Sequence, residues 1–332
     1  MRVISDTLLA EQRKAFATPY VRIYLPNYSG GTDLTSYKKR VVETEQTYGS
    51  SLSILLGDAA SWFIVAGQPI NLKGQQVDLG WGFTISGSPE YSPAAPYYIH
   101  DARLVSAPGV LLVQLDCHDI WQRLQLQQIM GDSTAYSPEW NKTKTCLGII
   151  EEILTGITTV TLDSSDGIVD VFMPYIRTIA SDSVASVIAR VMAYTNCGIR
   201  MEYDGMHIYR LPQSTTDGYT YNTGHVFRSH VWDDQPTIPN RMIVVDKIPS
   251  ESGGMHTYEG IVTDTASYAD LGYYVTRIIE VPWITSNSEA EQIAQTILDS
   301  LQRQRPTGIV IVPIMNVGQQ IGDVVKIEDP RF

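Results

Sequence analysis

Apolar and polar residues alternate over much of this chain, and that alternation sets the first expectation of its fold. "TPYVRIYL" sets Val21, Ile23 and Leu25 against Tyr20, Arg22 and Tyr24, the period of two of a half-buried strand. From 38 to 115 the β pattern continues through "KRVVETEQTY", "SSLSILLG", "WFIVAGQPINL", "QQVDLGWGFTISG" and "ARLVSAPGVLLVQLDC". Gly, Pro, Asn and Asp interrupt it at roughly 8–12-residue spacing, as in a barrel or sandwich. "SAPG" (106–109) predicts a tight hairpin, and "GSPEYSPAAP" (87–96) predicts a Pro-rich surface loop rather than a strand. A short helix over 5–17, capped by Ser5 or Asp6, precedes the first strand, with Leu8, Leu9, Ala15 and Phe16 on one face. "HDIWQRLQLQQIM" (118–130) predicts a helix leaving this β region.

The period then lengthens. "TKTCLGIIEEILTG" (143–156) puts Cys146, Ile149, Ile150 and Ile153 on one helical face, with Gly156 suited to the left-handed position that ends a helix. "SDSVASVIARVMAYTNCG" (181–198) does the same with Val184, Val187, Ile188, Val191 and Met192, capped by Ser181 or Asp182. "IRMEYDGMHIYRL" follows as a hairpin turning at Asp204-Gly205. Residues 138–212 thus predict a small α/β unit of two helices and a hairpin.

The last third returns to β. "IPNRMIVVDKI" (238–248) predicts a strand entered through Pro239, with "GGMHTYEGIVTDTAS" after it. In "SEAEQIAQTILDSLQRQ" (288–304), Ala290, Ile293, Ala294, Ile297, Leu298 and Leu301 share a helix face. Ser288 and Glu291 can form a capping box, and Pro306 and Gly308 end the helix. "GIVIVPIM" and "DVVKIED" then predict a closing hairpin. The fold class expected is mainly β with an α/β insert: two β-barrel-like domains, 1–125 and 215–332, joined by a small helix–helix–hairpin domain over 138–212.

Composition narrows the function. At 332 residues the chain is long enough for two or three domains. A net charge of −12, with "YKKR" (37–40) as its only dense basic cluster, argues against a nucleic-acid groove. Nineteen Tyr against six Phe suits half-exposed strands or contact surfaces. Cys117, Cys146 and Cys197 stand far apart, which rules out a disulfide framework and leaves one chance pair or three buried thiols. "MRVISDTLLAEQRKAF" has no apolar signal core, and no apolar run approaches the roughly 20 residues of a membrane helix. A soluble protein made in a cytoplasm is expected.

No residue pattern in the chain marks a catalytic, cofactor-binding or metal-ligating residue. There is no G-x-S-x-G, H-E-x-x-H or phosphate-binding loop. Gly80, Gly82 and Gly87 lack dinucleotide spacing and suit a bent strand. "DSSDGIVD" offers Asp163, Asp166 and Asp170, but Ser165 and Gly167 stand at the third and fifth positions and no closing Glu follows, so an acidic turn is expected rather than a calcium loop. "WDDQP" (232–236) has the same loop character. In "DCHD", Asp116, Cys117, His118 and Asp119 alternate faces of a strand and cannot converge; His118 or Asp119 would instead cap the next helix. His225 and His230 have no carboxylate set at ligand spacing. The glycosylation triplets at Asn27–Ser29 and Asn141–Thr143 carry no weight without a signal peptide.

Several stretches together resemble the tail-tip hub proteins of long-tailed bacteriophages and related injection machines. They are "SDTLLAEQRKAFATPYVRIYL", "IPNRMIVV" with "TDTASYADLGYY", and the "SEAEQIAQTILDSLQRQ" helix followed by "GIVIVPIMNVGQQIGDVVKIEDP". The resemblance implies two barrels joined by α/β parts. It also implies a homotrimer whose ring adapts a sixfold tail tube to a threefold tip, with a channel for DNA or the tape measure protein. Implied partners are the tail tube or distal tail ring, the tape measure protein and tip or fibre proteins, with DNA only in passage and no stable membrane association. The location implied is the virion, assembled in a host bacterial cytoplasm, and no enzymatic activity or cofactor is implied. Three copies at −12 each would give a ring of −36, and an acidic lumen would repel passing phosphates. Two other functions fit the pattern: a receptor- or carbohydrate-binding tail protein using the Tyr-rich segment 217–232 and the loop 87–96, and a virion-associated hydrolase. A chain ending one strand after its helix fits either a compact hub or a piece of a longer tip protein.

Overall fold

The computed structural model describes residues 4–12, 14, 17–46, 48–57, 63–65, 68–107, 110–129, 138–165, 167–179, 181–210, 218–222, 229–232, 238–249, 255–281, 284–303, 308–311 and 316–328. The fold is mainly β. A short helix α1 (Asp6–Glu11), capped by Ser5, leads into an antiparallel sheet. Its strands are β1 (Pro19–Leu25), β2 (Thr32–Asp33), β3 (Lys38–Thr44), β4 (Ser51–Gly57), β7 (Gln76–Ile85), β8 (Ser88–Pro93), β9 (Tyr97–Ala107) and β10 (Val110–His118). They run in the order β2-β1-β7-β9-β10-β4-β3, with β8 on β7, while β5 (Ile64–Val65) and β6 (Gln68–Pro69) pair separately. Alternation places Ile23, Leu25, Leu52, Ile54, Leu56, Leu79, Val113 and Leu115 in one core. Each such buried side chain contributes about 1.5–3 kcal/mol relative to exposure. Among the described residues no ladder closes this sheet into a barrel.

One expectation fails here. Ser88–Pro93, read from its prolines as a loop, is a strand paired along β7 from Ile85↔Ser88 to Gly80↔Pro93. Ser86 and Gly87 both take positive φ, 52° and 85°, which is the mirror-image turn that suits hairpin twist. Pro89 and Pro93 are tolerated because β8 is an edge strand, where a lost N–H breaks no second ladder.

The middle region begins with α2 (Ile120–Leu126), capped by Asp119. Helices α3 (Cys146–Leu154) and α4 (Val184–Met192) bury the apolar faces expected of them, although Ile153 is only half-buried. Their caps are Thr145 and Ser183. The latter replaces the expected Ser181 or Asp182, because the Asp182 carboxylate accepts the N–H of Ile179 instead. The hairpin β14 (Cys197–Glu202) and β15 (Gly205–Arg210) turns at Tyr203-Asp204, one residue earlier than expected, since Glu202 pairs with Gly205. Strand β12 (Val160–Leu162) joins β15 in parallel, and β11 (Glu139–Asn141) pairs with β13 (Tyr175–Arg177).

The last region centres on β18 (Arg241–Pro249), flanked by antiparallel β19 (Met255–Thr263) and parallel β20 (Thr276–Glu280). A helix α5 (Thr265–Leu271) links β19 to β20, and α6 (Asn287–Arg303) lies on β18 and β19. A Cβ on Gly260 would collide with the backbone of Ala290 and Glu291, so glycine lets the helix sit directly on β19. The capping box is Ser286 with Glu289, two residues before the expected pair: Ser286 accepts the Glu289 N–H at 3.2 Å and Glu289 accepts the Thr285 N–H at 3.0 Å. The expected closing hairpin does not form among the described residues. Instead β21 (Gly308–Ile311) pairs with β17 (Ser229–Trp232), and β22 (Val325–Ile327) pairs in parallel with β16 (Tyr219–Tyr221). No closed barrel is present among the described residues of this region.

A second core runs through the middle and last regions together. It unites Trp121, Ile150, Val187, Ile188 and Ile208 with Met242, Val244, Ala290, Ala294 and Leu298. A third, small cluster of Leu8, Phe83 and Val317 ties the segment before β22 to the first sheet. Cys117, Cys146 and Cys197 are buried free thiols. Among the described residues no helix is long and apolar enough to cross a membrane.

Candidate functional site

The residues of "DCHD" go to four separate environments. Asp116 takes Ser53 and Arg103, the latter at 2.9 Å. Cys117 is buried in the core, which pushes its thiol pKa up and keeps it unreactive. His118 lies edge-on to His100 at 5.5 Å and is pulled below the usual imidazole range by burial. Asp119 accepts the N–H groups of Trp121 and Ser50, pinning α2 to the start of β4. No nucleophile–base pair arises here.

The acids of "DSSDGIVD" also part. Asp170 accepts from the Ser165 hydroxyl at 2.7 Å, which in turn accepts the Gly167 N–H, so this end is a turn. Asp166 lies outside the described residues. Asp163 faces the hairpin instead, where the parallel pairing of β12 with β15 brings it to Arg200, Glu202, Asp204 and His207. Sequence reasoning missed this cluster; no spacing joins position 163 to 200–207, and only the strand register does.

Asp163, Glu202 and His207 hold potential ligand atoms within 4.8 Å of one another. However, the Arg200 guanidinium reaches Asp163 at 2.8 Å and Glu202 at 2.7 Å. A resident cation already occupies the charge position, which disfavours a metal. The two nitrogens of His207 lie 2.8 Å from Asp163 and 2.9 Å from Asp204, and the protonated ring, which donates from both, is the form that satisfies both carboxylates. Burial opposes that charge, but hydrogen bonds to Asp163 and Asp204 and the charge of Glu202 outweigh it and raise the pKa. The cluster is a staple between β12 and the hairpin. It presents no free acid or base to a substrate.

A cleft of ≈310 Å³ opens between β13 and α4 on one side and β20 and α6 on the other. Ile176, Ile279, Val281, Ile293 and Ile297 line it, with Tyr194, Arg177 and Arg190. Tyr194 is pushed up to about 12, chiefly by burial. No nucleophile and base meet in this cleft.

The Tyr-rich segment is not a sugar platform where it is described. Tyr219 and Tyr221 are buried, with ring centroids 4.9 Å apart and edge-on, and Tyr221 donates to Gln319. His225 and the "DDQP" stretch lie outside the described residues, and His230 is described only as backbone of β17. Large exposed apolar side chains gather instead around α5 and β20, where Tyr273 and Ile278 are 57% and 64% exposed.

No protein-family model matches this chain, and no curated protein matches its sequence. Solved structures do match its fold. The 43 kDa tail protein of prophage MuSo2 from Shewanella oneidensis superposes with a TM-score of 0.65 at 12% identity, over 95% of this chain and 90% of that one. The tail protein from Neisseria meningitidis MC58 gives 0.64 at 11% identity, over 95% and 87%. Prophage tail protein gp18 from Listeria monocytogenes EGD-e gives 0.54 at 9%, over 87% and 79%. The chain therefore shares the fold of these prophage tail proteins over most of its length.

Proposed function

We propose that this chain is a structural tail protein that forms the trimeric hub at the distal end of a phage-type tail. The observation that carries the proposal is the match of the whole fold to prophage tail proteins, with 95% of this chain covered. The same match supports a non-enzymatic role. In this reading 1–125 and 215–332 are the two barrel-related units and 138–212 the insert between them. Three copies form a ring that adapts a sixfold tube to a threefold tip. The tail tube or distal tail ring, the tape measure protein and tip or fibre proteins are its neighbours, and DNA passes through the channel. The net charge of −12 per copy supplies a lumen that repels phosphate. The protein resides in the virion tail tip and assembles in the host cytoplasm. Negative-stain electron microscopy of the purified chain tests this reading: rings with threefold symmetry and a central channel support it, and a field of single particles without a channel contradicts it.

A further inference from the structure

One face of the first sheet holds two cations against aromatic rings. On β1, Tyr20, Arg22 and Tyr24 point outward, opposite Gly82, Gly80 and Asp78 of β7. The two glycines leave a trough, and the Tyr91 ring from β8 lies across it, where a Cβ on Gly80 would press into the ring. Arg22 is thereby held between two aromatic faces, 4.7 Å from the centroid of Tyr24 and 5.3 Å from that of Tyr91. Lys38 sits 5.6 Å over Tyr20. Among the described residues neither Arg22 nor Lys38 meets a carboxylate. Rings that fix a guanidinium in place reduce the ordering cost of binding an anion.

The last region offers the complementary surface. Strand β20 pairs only with β18 among the described residues, so its outer edge is open. Beside it Tyr268 and Tyr274 stack at 4.3 Å, and Tyr273 and Ile278 stand exposed. Asp270 of α5 is exposed, as is Glu259 of β19, which stands across β18 from Glu280 of β20 on the same face of the sheet; among the described residues neither Asp270 nor Glu259 has an ion-pair partner, and Arg277 is the one cation of β20. The charge balance along the chain runs the same way. Residues 1–125 carry ten basic and eleven acidic residues, whereas 215–332 carry eight basic and fifteen acidic.

We propose that the α5–β20 surface of one copy docks on the Tyr20–Arg22–Tyr24–Tyr91 face of the next copy. The two surfaces are different patches, so the contact is head-to-tail, and it builds a ring where the rotation between copies closes after three. The partner is another copy rather than a nucleic acid, because a chain of net charge −12 repels polyanions at range while its own acidic end matches this face. The inference rests on the trimeric reading above and names the surfaces that would build it.

Sedimentation of the full chain tests it. Arg22→Glu with Lys38→Glu, or Glu259→Lys with Asp270→Lys, is expected to raise the concentration of half-assembly by more than about 100-fold. Ile278→Glu, at an exposed site, is expected to do the same by charging the apolar edge. Combining both charge pairs in one chain restores assembly to within about tenfold of wild type. Unchanged far-UV circular dichroism and melting confirm that the variants fold. A wild-type trimer that ignores all these changes overturns this interface and leaves the hub reading standing. A wild type that stays monomeric overturns both. If Arg22→Glu with Lys38→Glu abolishes binding to heparin, used as a polyanion probe, without changing the assembly, the face serves a polyanion and the proposal is overturned.

Discussion

The first sheet and the last region carry similar sequence, with alternating apolar residues broken by Gly and Pro, yet they hold together by different means. In the first sheet most ladders join strands that are neighbours or near neighbours in the chain, as in β7–β8, β9–β10 and β3–β4. Its core is its own. In the last region β18 pairs with its chain neighbours β19 and β20, but two further ladders reach far, with Tyr219 paired to Val325 and Ser229 to Ile311. Its core is shared with α3, α4 and the hairpin of the middle region. A β pattern therefore identifies strands in both places, but it does not say whether they close on themselves or lean on a helix. Here α6, seated on Gly260, takes the role that further strands play in the first sheet.

The largest effect that would break this contrast comes from the shared core. Val244→Asp puts an unpaired charge at a fully buried site, and we expect a loss of more than about 4 kcal/mol. Hydrogen exchange should show the middle and last regions losing protection together while β4, β9 and β10 keep theirs. If only 215–332 opens, the core is not shared in energy. Ile54→Ala, at a fully buried site of the first sheet, should cost about 2–5 kcal/mol. It should open the first sheet while leaving α3 and α4 protected.

Smaller changes sharpen the same comparison. Gly260→Val forces a side chain against α6, and we expect about 1–3 kcal/mol lost from the last and middle regions, seen as one lowered melting transition. Ser286→Ala removes the cap of α6 and should cost about 1 kcal/mol. Ser288→Ala, at the position the sequence alone favoured, should cost less than about 0.5 kcal/mol.

The smallest effect concerns pH. The His207 pKa is raised in the folded chain, so its ion pairs stabilise fully below the unfolded value of about 6.5. That contribution is lost as pH rises through the raised folded value. The stability gap between wild type and His207→Gln should therefore shrink with rising pH. A gap that widens above neutrality would contradict an imidazolium between Asp163 and Asp204.

Local signals made much of this legible. The alternation of β1 and β4, the apolar stripe of α4 and the Asp119 cap need only residues a few positions apart. Signals with two readings misled. Prolines in β8 argue for a loop unless the strand is known to lie at an edge, and two serines near the start of α6 each begin a plausible cap. Helix α5 has no buried residue and so no apolar period; its marks were the Asp264 cap and Gly272 at φ 76°. The charge staple and the β16–β22 ladder join residues brought together only by the finished topology, which no window of sequence contains. The cation-bearing face was half visible, since Tyr20, Arg22 and Tyr24 already alternate outward, but the Tyr91 ring that completes it comes from the strand read as a loop.

The central claim, that this fold works as a trimeric tail hub, meets its most direct test in the solution mass of the full chain by sedimentation equilibrium. One chain weighs 36.9 kDa. A trimer gives a species three times that mass, about 111 kDa, that persists as the protein is diluted into the low micromolar range. A single species at 36.9 kDa across the same range would contradict it.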